Sequence, residues 1–121
     1  GGSVINLGSG QGIVGGIDTA AYSAAKEGIR GLSRVAAREW GKDDIRVNVI
    51  CPGPVDTPLI WESAAAFPDP ASAVQAAGAN APMQRLGTPG DIAALVRFLA
   101  SDASAWMSGS VVTIDGGATV R

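Results

Sequence analysis

The 121 residues are 46% hydrophobic, which is enough apolar material for the core of one domain. The chain has no histidine and one cysteine, so a histidine base, a histidine-containing triad and an internal disulfide are excluded, and no metal site is expected. The formal net charge of −2 gives no general attraction to nucleic acid, and no apolar run is long enough to cross a bilayer. We therefore expect a soluble, cytoplasmic protein that binds neither nucleic acid nor membrane.

The first part of the chain has a strand pattern followed by a helix pattern. The apolar run from Ser3 to Leu7 ends in glycines and predicts a buried strand. A helix is predicted from Asp18 or Thr19 to about Trp40, where Gly41 ends it. The buried stripe predicted for this helix consists of Ala25, Ile29, Leu32, Ala36 and Trp40.

The second part repeats this alternation. Residues 45–51 are β-branched and mostly apolar, and predict a second buried strand that stops at Pro52 because proline cannot donate to a ladder. Residues 58–87 are rich in Ala and Pro and predict a mobile flap with one or two short helices. Thr88 is the predicted N-cap of a further helix, with Asp91 in the capping-box position, and residues 110–114 predict a third strand. The buried stripe predicted for that helix consists of Ile92, Leu95, Val96 and Leu99.

Strands that alternate with helices predict a parallel sheet joined by right-handed crossovers. The fold class is therefore α/β. We predict that residues 1–121 form a single partial domain that contains three strands of a Rossmann-like, doubly wound sheet. Three strands make only half of such a sheet.

Three glycines in the first part have the spacing G-x-G-x-x-G, and they are Gly10, Gly12 and Gly15. In a dinucleotide-binding loop the helix begins within the glycines, and an acidic residue ends the next strand. Here the predicted helix starts after the last glycine, and the second strand ends at Pro52 without a carboxylate. We therefore predict a flexible turn that carries Ser9 off the end of its strand, not a phosphate-binding loop.

Tyr22 and Lys26 lie four residues apart, which places them on one face of the predicted helix. An ammonium group beside a phenol stabilises the phenolate, so such a pair can exchange a proton with an alcohol or a carbonyl. Ser9 could hydrogen-bond the same oxygen. From the spacing alone, an ordinary surface pair remains the commoner interpretation.

Several motifs in a fixed order resemble the short-chain dehydrogenase/reductase family. Ser9 precedes Tyr22 by thirteen residues, and the motif Tyr-x-x-x-Lys is present as YSAAK. The motifs RVNVICPGPVDTPL, RLGTPGDIA and SGSVVTIDGG follow downstream. Together they resemble the C-terminal half of that family's domain and cover almost the whole chain.

The resemblance implies an oxidoreductase that moves a hydride between NAD or NADP and a small-molecule alcohol or ketone. It implies that Tyr22 is the acid/base, that Lys26 stabilises its phenolate and holds the nicotinamide ribose, and that Ser9 orients the substrate oxygen. The implied cofactor contacts are Tyr22, Lys26, Pro52, Gly53, Val55 and Thr57. Pro52, Gly53 and Val55 would form a backbone wall against the nicotinamide, and Thr57 would lie near its carboxamide or the pyrophosphate.

The resemblance also implies a flap that closes over the substrate and a homo-oligomer. The family's glycine-rich cofactor loop and its catalytic asparagine would lie before Gly1, so we expect a longer protein. The alternative is a non-catalytic scaffold of the same fold, or an inactive fragment, that acts through subunit assembly. The presence of Ser9, Tyr22 and Lys26 favours the enzyme.

Other side chains are assigned structural roles. The basic residues that recur every four positions are interpreted as an ordinary charged surface, with the arginines solvated, and they are Lys26, Arg30, Arg34 and Arg38. Trp40 is predicted to lie in the core, and Cys51 to be a structural thiol. Trp61, in the flap, is predicted either to contact the substrate or to serve in packing.

Overall fold

The computed structural model describes residues 1–120. Three parallel strands form one sheet in the order β1-β2-β3, and they are β1 Gly2–Leu7, β2 Ile45–Pro52 and β3 Val111–Ile114. The α-helices of the described residues are α1 Gly10–Val14, α2 Ala20–Trp40, α3 Pro58–Ala64, α4 Pro70–Ala79 and α5 Pro89–Ala100. Single 3-10 turns follow α2 and α5, at Gly41–Asp43 and Asp102–Ser104. The predicted α/β class and the three parallel strands are confirmed.

The sheet is covered by α2 on one face and by α5 on the other. In β1, Ser3 Oγ donates to the carbonyl oxygen of Leu99 in α5, at 2.7 Å. Asn6 Nδ2 donates to Ser33 Oγ in α2, at 2.9 Å. Since successive strand side chains point to opposite faces, Ser3 and Asn6 point to different faces. This arrangement of layers is that of a doubly wound fold.

The centre of the core is the middle strand, β2. Its residues from Val47 to Cys51 are fully buried, with no alternation between inward and outward positions. A strand covered on both faces has this pattern. Full burial of one large aliphatic side chain contributes about 1.5–3 kcal/mol, so β2 supplies much of the stability of the fold.

The buried face of α2 differs from the predicted stripe. Three of the predicted residues are exposed, and they are Ala25, Leu32 and Trp40. The face that packs on the sheet carries Ser33 and Ala36, with Ile29 half-buried. Ser33 can be buried because its hydroxyl accepts from Asn6 and donates to the carbonyl of Ile29, at 2.7 Å. The prediction that Trp40 lies in the core is therefore wrong.

The basic residues of α2 also differ from the prediction in one case. Arg30 is not solvated, because its side chain is only 19% exposed and its Nη1 lies 2.7 Å from Glu27 Oε2. Arg34 and Arg38 are exposed, as expected.

The ends of α2 lie where the sequence predicted, but their capping differs. Thr19 occupies the N-cap without capping a helix N–H, since its hydroxyl donates to the carbonyl of Gly16. Gly41 keeps a right-handed helical conformation. The chain leaves the helix one 3-10 turn later, at Asp44, whose φ of 58° is left-handed.

The predicted flexible turn after β1 is instead the short helix α1. Ser9 is its N-cap and accepts a hydrogen bond from the N–H of Gln11, and the helix ends at Gly15 with a φ of 73°. A helix therefore begins within the glycines, so one of the two grounds against a dinucleotide loop is wrong. The other ground remains, because β2 ends at Pro52 without a carboxylate.

The segment predicted as a flap contains α3 and α4, which confirms the expected short helices. Its mobility stays a prediction. The capping box of α5 is present: Thr88 Oγ1 accepts from the N–H of Asp91, and Asp91 Oδ2 accepts from the N–H of Thr88. Leu99 is fully buried, and the other stripe residues of α5 are half-buried. Among residues 1–120, no helix has the length and apolar content that a membrane span requires.

Candidate active site

The three predicted catalytic residues lie at the carboxyl end of β1 and the start of α2. Ser9 follows β1 and is 6% exposed, whereas Tyr22, in the first turn of α2, is 43% exposed. Lys26 Nζ lies 5.7 Å from the centroid of the Tyr22 ring. The same ammonium donates to the carbonyl of Leu7, at 3.1 Å. Lys26 therefore contacts Tyr22 and ties α2 to the strand that precedes Ser9.

The polar groups of these residues are only partly used within the described chain. The Lys26 ammonium has three N–H donors, and one of them is bonded to Leu7. Ser9 Oγ accepts from Gln11, and its hydroxyl hydrogen has no acceptor among residues 1–120. In this range no hydrogen bond joins Ser9 to Tyr22. The site therefore offers free donors beside an exposed phenol.

Glycine at position 8 lets the segment with Ser9 lie close to β2. The N–H of Gly8 donates to the carbonyl of Ile50 at 2.8 Å, which extends the ladder by one residue. A Cβ on Gly8 would lie 2.8 Å from Cys51 Sγ and 3.0 Å from a methyl group of Val49. Burial raises the pKa of the Cys51 thiol, against a smaller opposing effect of the Ser9 N–H. Cys51 is thus a buried neutral thiol, as the sequence predicted.

The predicted cofactor wall lies at the same edge of the sheet. Leu7 pairs with Ile50, so Ser9 and Pro52 follow these two parallel strands at one end. The N–H of Gly53 donates to the carbonyl of Ile114, at 3.0 Å, which continues the sheet beyond β2.

Val55 forms an isolated parallel bridge with Gly87. The bonds of this bridge run from the Asp56 N–H to the Gly87 carbonyl and from the Gly87 N–H to the Pro54 carbonyl, both at 2.9 Å. Because its neighbours make these bonds, Val55 points its own N–H away from Gly87. That N–H has no acceptor within the described residues. Thr57 Oγ1 makes a long bond, 3.4 Å, to the Val55 carbonyl.

Trp61 contacts Asp56, the residue that follows Val55 of this wall. Its Nε1 donates to Asp56 Oδ1 at 2.9 Å, while the side chain remains 45% exposed. The indole is therefore held by one polar contact and presents much of its surface to solvent. This geometry is compatible with both roles predicted for Trp61, contact with the substrate and packing.

An ion pair between Arg85 and Asp91 flanks Gly87, the bridge partner of Val55. Arg85 Nη1 lies 2.8 Å from Asp91 Oδ2 and also donates to the carbonyl of Leu86, the residue before Gly87. The Arg85 guanidinium, together with the Thr88 N–H and hydroxyl, holds the pKa of the Asp91 carboxyl well below its usual range. The capping box was predicted, but the part played by Arg85 was not. Its only sequence signal is the motif RLGTPGDIA itself.

The replacement Asp91→Asn should destabilise the complete gene product at pH 7 and have little effect in acid. A carboxyl whose pKa is lowered by folding contributes stability above its unfolded pKa of about 4, and loses it as the pH falls through the lower folded pKa. Urea unfolding of both proteins across this pH range measures the difference, which solvent screening keeps modest. Glu39→Gln, on an exposed carboxylate of α2, is the matched control. The prediction would be contradicted if the free energies of unfolding of Asp91→Asn and the parent differed by the same amount down to the most acid pH.

Across residues 1–120, no three His, Cys, Asp or Glu side chains cluster as metal ligands. The candidate site consists instead of a phenol, an ammonium, hydroxyls and backbone donors. Comparison with known proteins identifies the class to which such a site belongs. A family model described as "Enoyl-(Acyl carrier protein) reductase" matches residues 1–119. The chain belongs to the short-chain dehydrogenase/reductase family.

Characterised relatives support this assignment. The chain is 45% identical over 117 residues to a 12alpha-hydroxysteroid dehydrogenase of a Clostridium species, covering 96% of this chain and 44% of the relative. It is 43% identical over 119 residues to a short-chain dehydrogenase/reductase of Botryotinia fuckeliana, covering 96% of this chain and 45% of the relative. The chain thus spans less than half the length of these relatives.

Solved structures have the same fold. The ligand-free aldohexose dehydrogenase of Thermoplasma acidophilum superposes with a TM-score of 0.93 at 31% identity, over 98% of this chain and 48% of that one. A putative 2-deoxy-d-gluconate 3-dehydrogenase from Agrobacterium tumefaciens, with bound NADP, gives a TM-score of 0.86 at 35% identity, over 98% and 47% of the two chains. The three-strand unit is therefore the fold of part of a Rossmann-like domain.

Proposed function

We propose that this chain supplies the proton-transfer half of an NAD- or NADP-dependent oxidoreductase that acts on a small-molecule alcohol or ketone. The observation that carries the proposal is the position of the Lys26 ammonium, beside the Tyr22 ring and bonded to the strand end that precedes Ser9. The names of the relatives, a hydroxysteroid dehydrogenase and an aldohexose dehydrogenase, support a substrate of the alcohol/carbonyl class. The NADP-bound neighbour supports the cofactor.

In this proposal, Tyr22 moves the proton at the substrate oxygen. Its exposed hydroxyl gives up a proton when a carbonyl is reduced and takes one when an alcohol is oxidised. Lys26 places its positive charge beside the Tyr22 ring, 5.7 Å from the centroid. Ser9 donates its free hydroxyl hydrogen to the same substrate oxygen, while the bond from Gln11 fixes the direction of that hydroxyl. The chemistry that bound nicotinamide supplies is hydride exchange with the substrate carbon.

The residues at the end of β2 fit the predicted cofactor contacts. The free N–H of Val55 suits a carboxamide or phosphate oxygen, and the Thr57 hydroxyl lies two residues further on. Pro52 and Gly53 form the half-buried wall. The two unused donors of Lys26 suit the hydroxyls of a ribose. These groups are mostly donors, which matches a ligand rich in oxygen acceptors.

The alternative is a non-catalytic scaffold that acts through subunit assembly. Large apolar side chains of α2 are exposed in the described chain, including Leu32 at 67%, which favours packing of this helix against a further unit. An enzyme can also be a homo-oligomer, so this observation does not select the scaffold. Ser9 caps α1 and Lys26 bonds to β1, so each also has a structural role, but a scaffold has no need of Tyr22 beside them. We therefore propose a homo-oligomeric, cytoplasmic enzyme.

The experiment that tests the function is a turnover assay on the complete gene product. The protein is incubated with NAD or NADP and a panel of secondary alcohols, including hydroxysteroids and sugars. Formation of reduced nicotinamide is followed by its absorbance. Turnover with at least one substrate is expected. A folded protein that turns over none of them with either cofactor, in either direction, would favour the scaffold.

The 121-residue chain by itself should not bind the cofactor measurably. Ligands of open parallel sheets bind beside a topological switch point, and three consecutive strands in the order β1-β2-β3 do not contain one. Fluorescence titration of the purified chain with NADH and with NADPH measures this. The complete gene product, titrated in parallel, is the positive control. Saturable binding by the 121-residue chain would refute the prediction.

A further inference from the structure

A tight turn after β3 is stabilised by the carboxylate of Asp115, beside a backbone bond from the Ala118 N–H to the Asp115 carbonyl. Asp115 Oδ1 accepts from the N–H of Gly117, at 2.9 Å. Asp115 Oδ2 accepts from the N–H of Thr119 at 2.9 Å and from its hydroxyl at 2.6 Å. Gly116 and Gly117 have φ values of 61° and 86°, so the turn needs glycine at both positions. The sequence singled out the motif containing Asp115 but gave this residue no role.

The first residue of this turn packs directly on the predicted cofactor wall. A Cβ on Gly53 would lie 2.8 Å from both Cα and Cβ of Asp115. The wall and the turn therefore touch with no space for a side chain between them. A displacement of Asp115 would move Gly53.

Another residue of the turn packs beside the predicted catalytic serine. A Cβ on Gly10 would lie 3.2 Å from the methyl group of Thr119 and 3.3 Å from the Pro52 carbonyl oxygen. Gly10 follows Ser9 and begins α1, the helix that Ser9 caps. The position of Thr119 therefore limits where Ser9 can lie.

The middle of the turn holds the end of the segment predicted as a flap. The N–H of Met83 donates to the Gly116 carbonyl, at 3.1 Å. A Cβ on Gly117 would lie 3.0 Å from a ring carbon of Pro82. One turn thus contacts three separate parts of the candidate site.

We infer that Asp115 is a positioning residue, which fixes Ser9 and the nicotinamide wall relative to each other through the turn at residues 115–119. This inference rests on the proposed function of the site. Burial disfavours the charged form of Asp115, but the hydrogen bonds from Thr119 and Gly117 outweigh burial and keep the pKa of its carboxyl below the usual range. The carboxylate therefore accepts three hydrogen bonds at neutral pH. Asparagine cannot replace Asp115, because its amide nitrogen would take the place of one carboxylate oxygen. That nitrogen carries hydrogens and cannot accept the hydrogen bonds that the oxygen accepts.

The test is Asp115→Asn in the complete gene product, studied by hydrogen–deuterium exchange and by kinetics. Exchange should rise in peptides covering residues 8–14 and 52–57, and stay unchanged over residues 45–49 in the middle of β2. A misplacement of about 1 Å costs roughly 100-fold in rate, so we expect kcat to fall by about 10- to 100-fold. Asp102→Asn, on an exposed carboxyl that makes no side-chain hydrogen bond among residues 1–120, is the matched control and should change neither quantity.

A milder variant keeps the test decisive if Asp115→Asn does not fold. Thr119→Val keeps a methyl group against Gly10 and removes only the hydroxyl bond to Asp115. It should fold, raise exchange in the same two peptides and lower kcat by a smaller factor. Thr119→Ser, which keeps that hydroxyl, should restore much of the kcat that Thr119→Val loses. Unchanged exchange in both peptides, or unchanged kcat despite faster exchange, would overturn the positioning role.

Failure of this inference can be told from failure of the proposed function. If Tyr22→Phe is inactive while Asp115→Asn has normal kcat and exchange, only the role of Asp115 is overturned. If Tyr22→Phe keeps normal turnover, the proposed function is overturned, whatever Asp115→Asn does.

Discussion

Replacing Tyr22 by phenylalanine should lower kcat of the complete protein by about 10²- to 10⁴-fold, the range that a positioned acid/base contributes. The replacement removes one hydroxyl from an exposed side chain, so the fold should be preserved. Tyr22 is the one tyrosine of the 121-residue chain, and no histidine is present. Within these 121 residues, no second phenol and no imidazole is available to take over the proton. Steady-state kinetics with the preferred cofactor measure the effect.

The kinetic pattern separates a chemical role from a structural one. Because the ring is kept, Lys26 still has an aromatic face beside it, and the KM for the cofactor should change by only a few fold. Gly28→Ala, on the surface of α2 with no atom close to its added methyl group, is the matched control and should leave kcat unchanged. If Tyr22→Phe kept more than about half of the parent kcat, Tyr22 would not be the acid/base.

Replacing Asn48 by alanine should destabilise the complete protein by about 1–3 kcal/mol. Asn48 is fully buried in β2, between two buried valines. Its Nδ2 donates to the carbonyl of Met107 at 2.8 Å, and its Oδ1 accepts from the N–H of Ser110 at 3.1 Å. Alanine leaves the Ser110 N–H without a partner, which costs about 1–3 kcal/mol, while the Met107 carbonyl keeps only the longer bond from Arg46 Nη1, at 3.3 Å. Urea unfolding monitored by circular dichroism gives the free energy of unfolding.

Asn80→Ala is the matched control for this experiment. Asn80 is exposed at the end of α4, so its replacement should change the free energy of unfolding by no more than about 0.5 kcal/mol. Equal stabilities of Asn48→Ala and Asn80→Ala would mean that water replaces Asn48 at no cost. The segment between α5 and β3 would then not depend on this side chain.

The strands could be predicted from the sequence because local patterns determine them. Residues 45–51 are mostly apolar, with no regular alternation, which is typical of a strand covered on both faces. The start of α5 was equally clear, since Thr88, Pro89 and Asp91 form a capping signal within four residues. In such segments the information lies within a few neighbouring residues.

The orientation of α2 and the existence of α1 could not be predicted in the same way. The face of α2 that packs on the sheet carries Ser33, which bonds to Asn6, a residue far from it in sequence. A stripe of apolar residues therefore pointed to the wrong face. Helix α1 is five residues long and depends on the Ser9 cap and on the contact of Gly10 with Thr119. Its glycines favoured a turn.

The same distinction between local and long-range contacts applies to the residues of the candidate site. Tyr22 and Lys26 could be paired from their spacing, because one helix turn brings them together. Arg85 and Asp115, which lie next to the site, could not be given a role from the sequence. Arg85 bonds across the start of α5, and Asp115 acts through a turn that touches Gly10 and Gly53. These contacts exist only in the folded chain.

The close approach of Gly8 to Cys51 makes the sizes of these two residues interdependent. The sulfur occupies space that any side chain at position 8 would need. Position 8 can therefore accept a larger residue only if position 51 becomes smaller and Val49 moves aside. Gly8 and Cys51 should thus change together during evolution, although neither is a proposed catalytic residue.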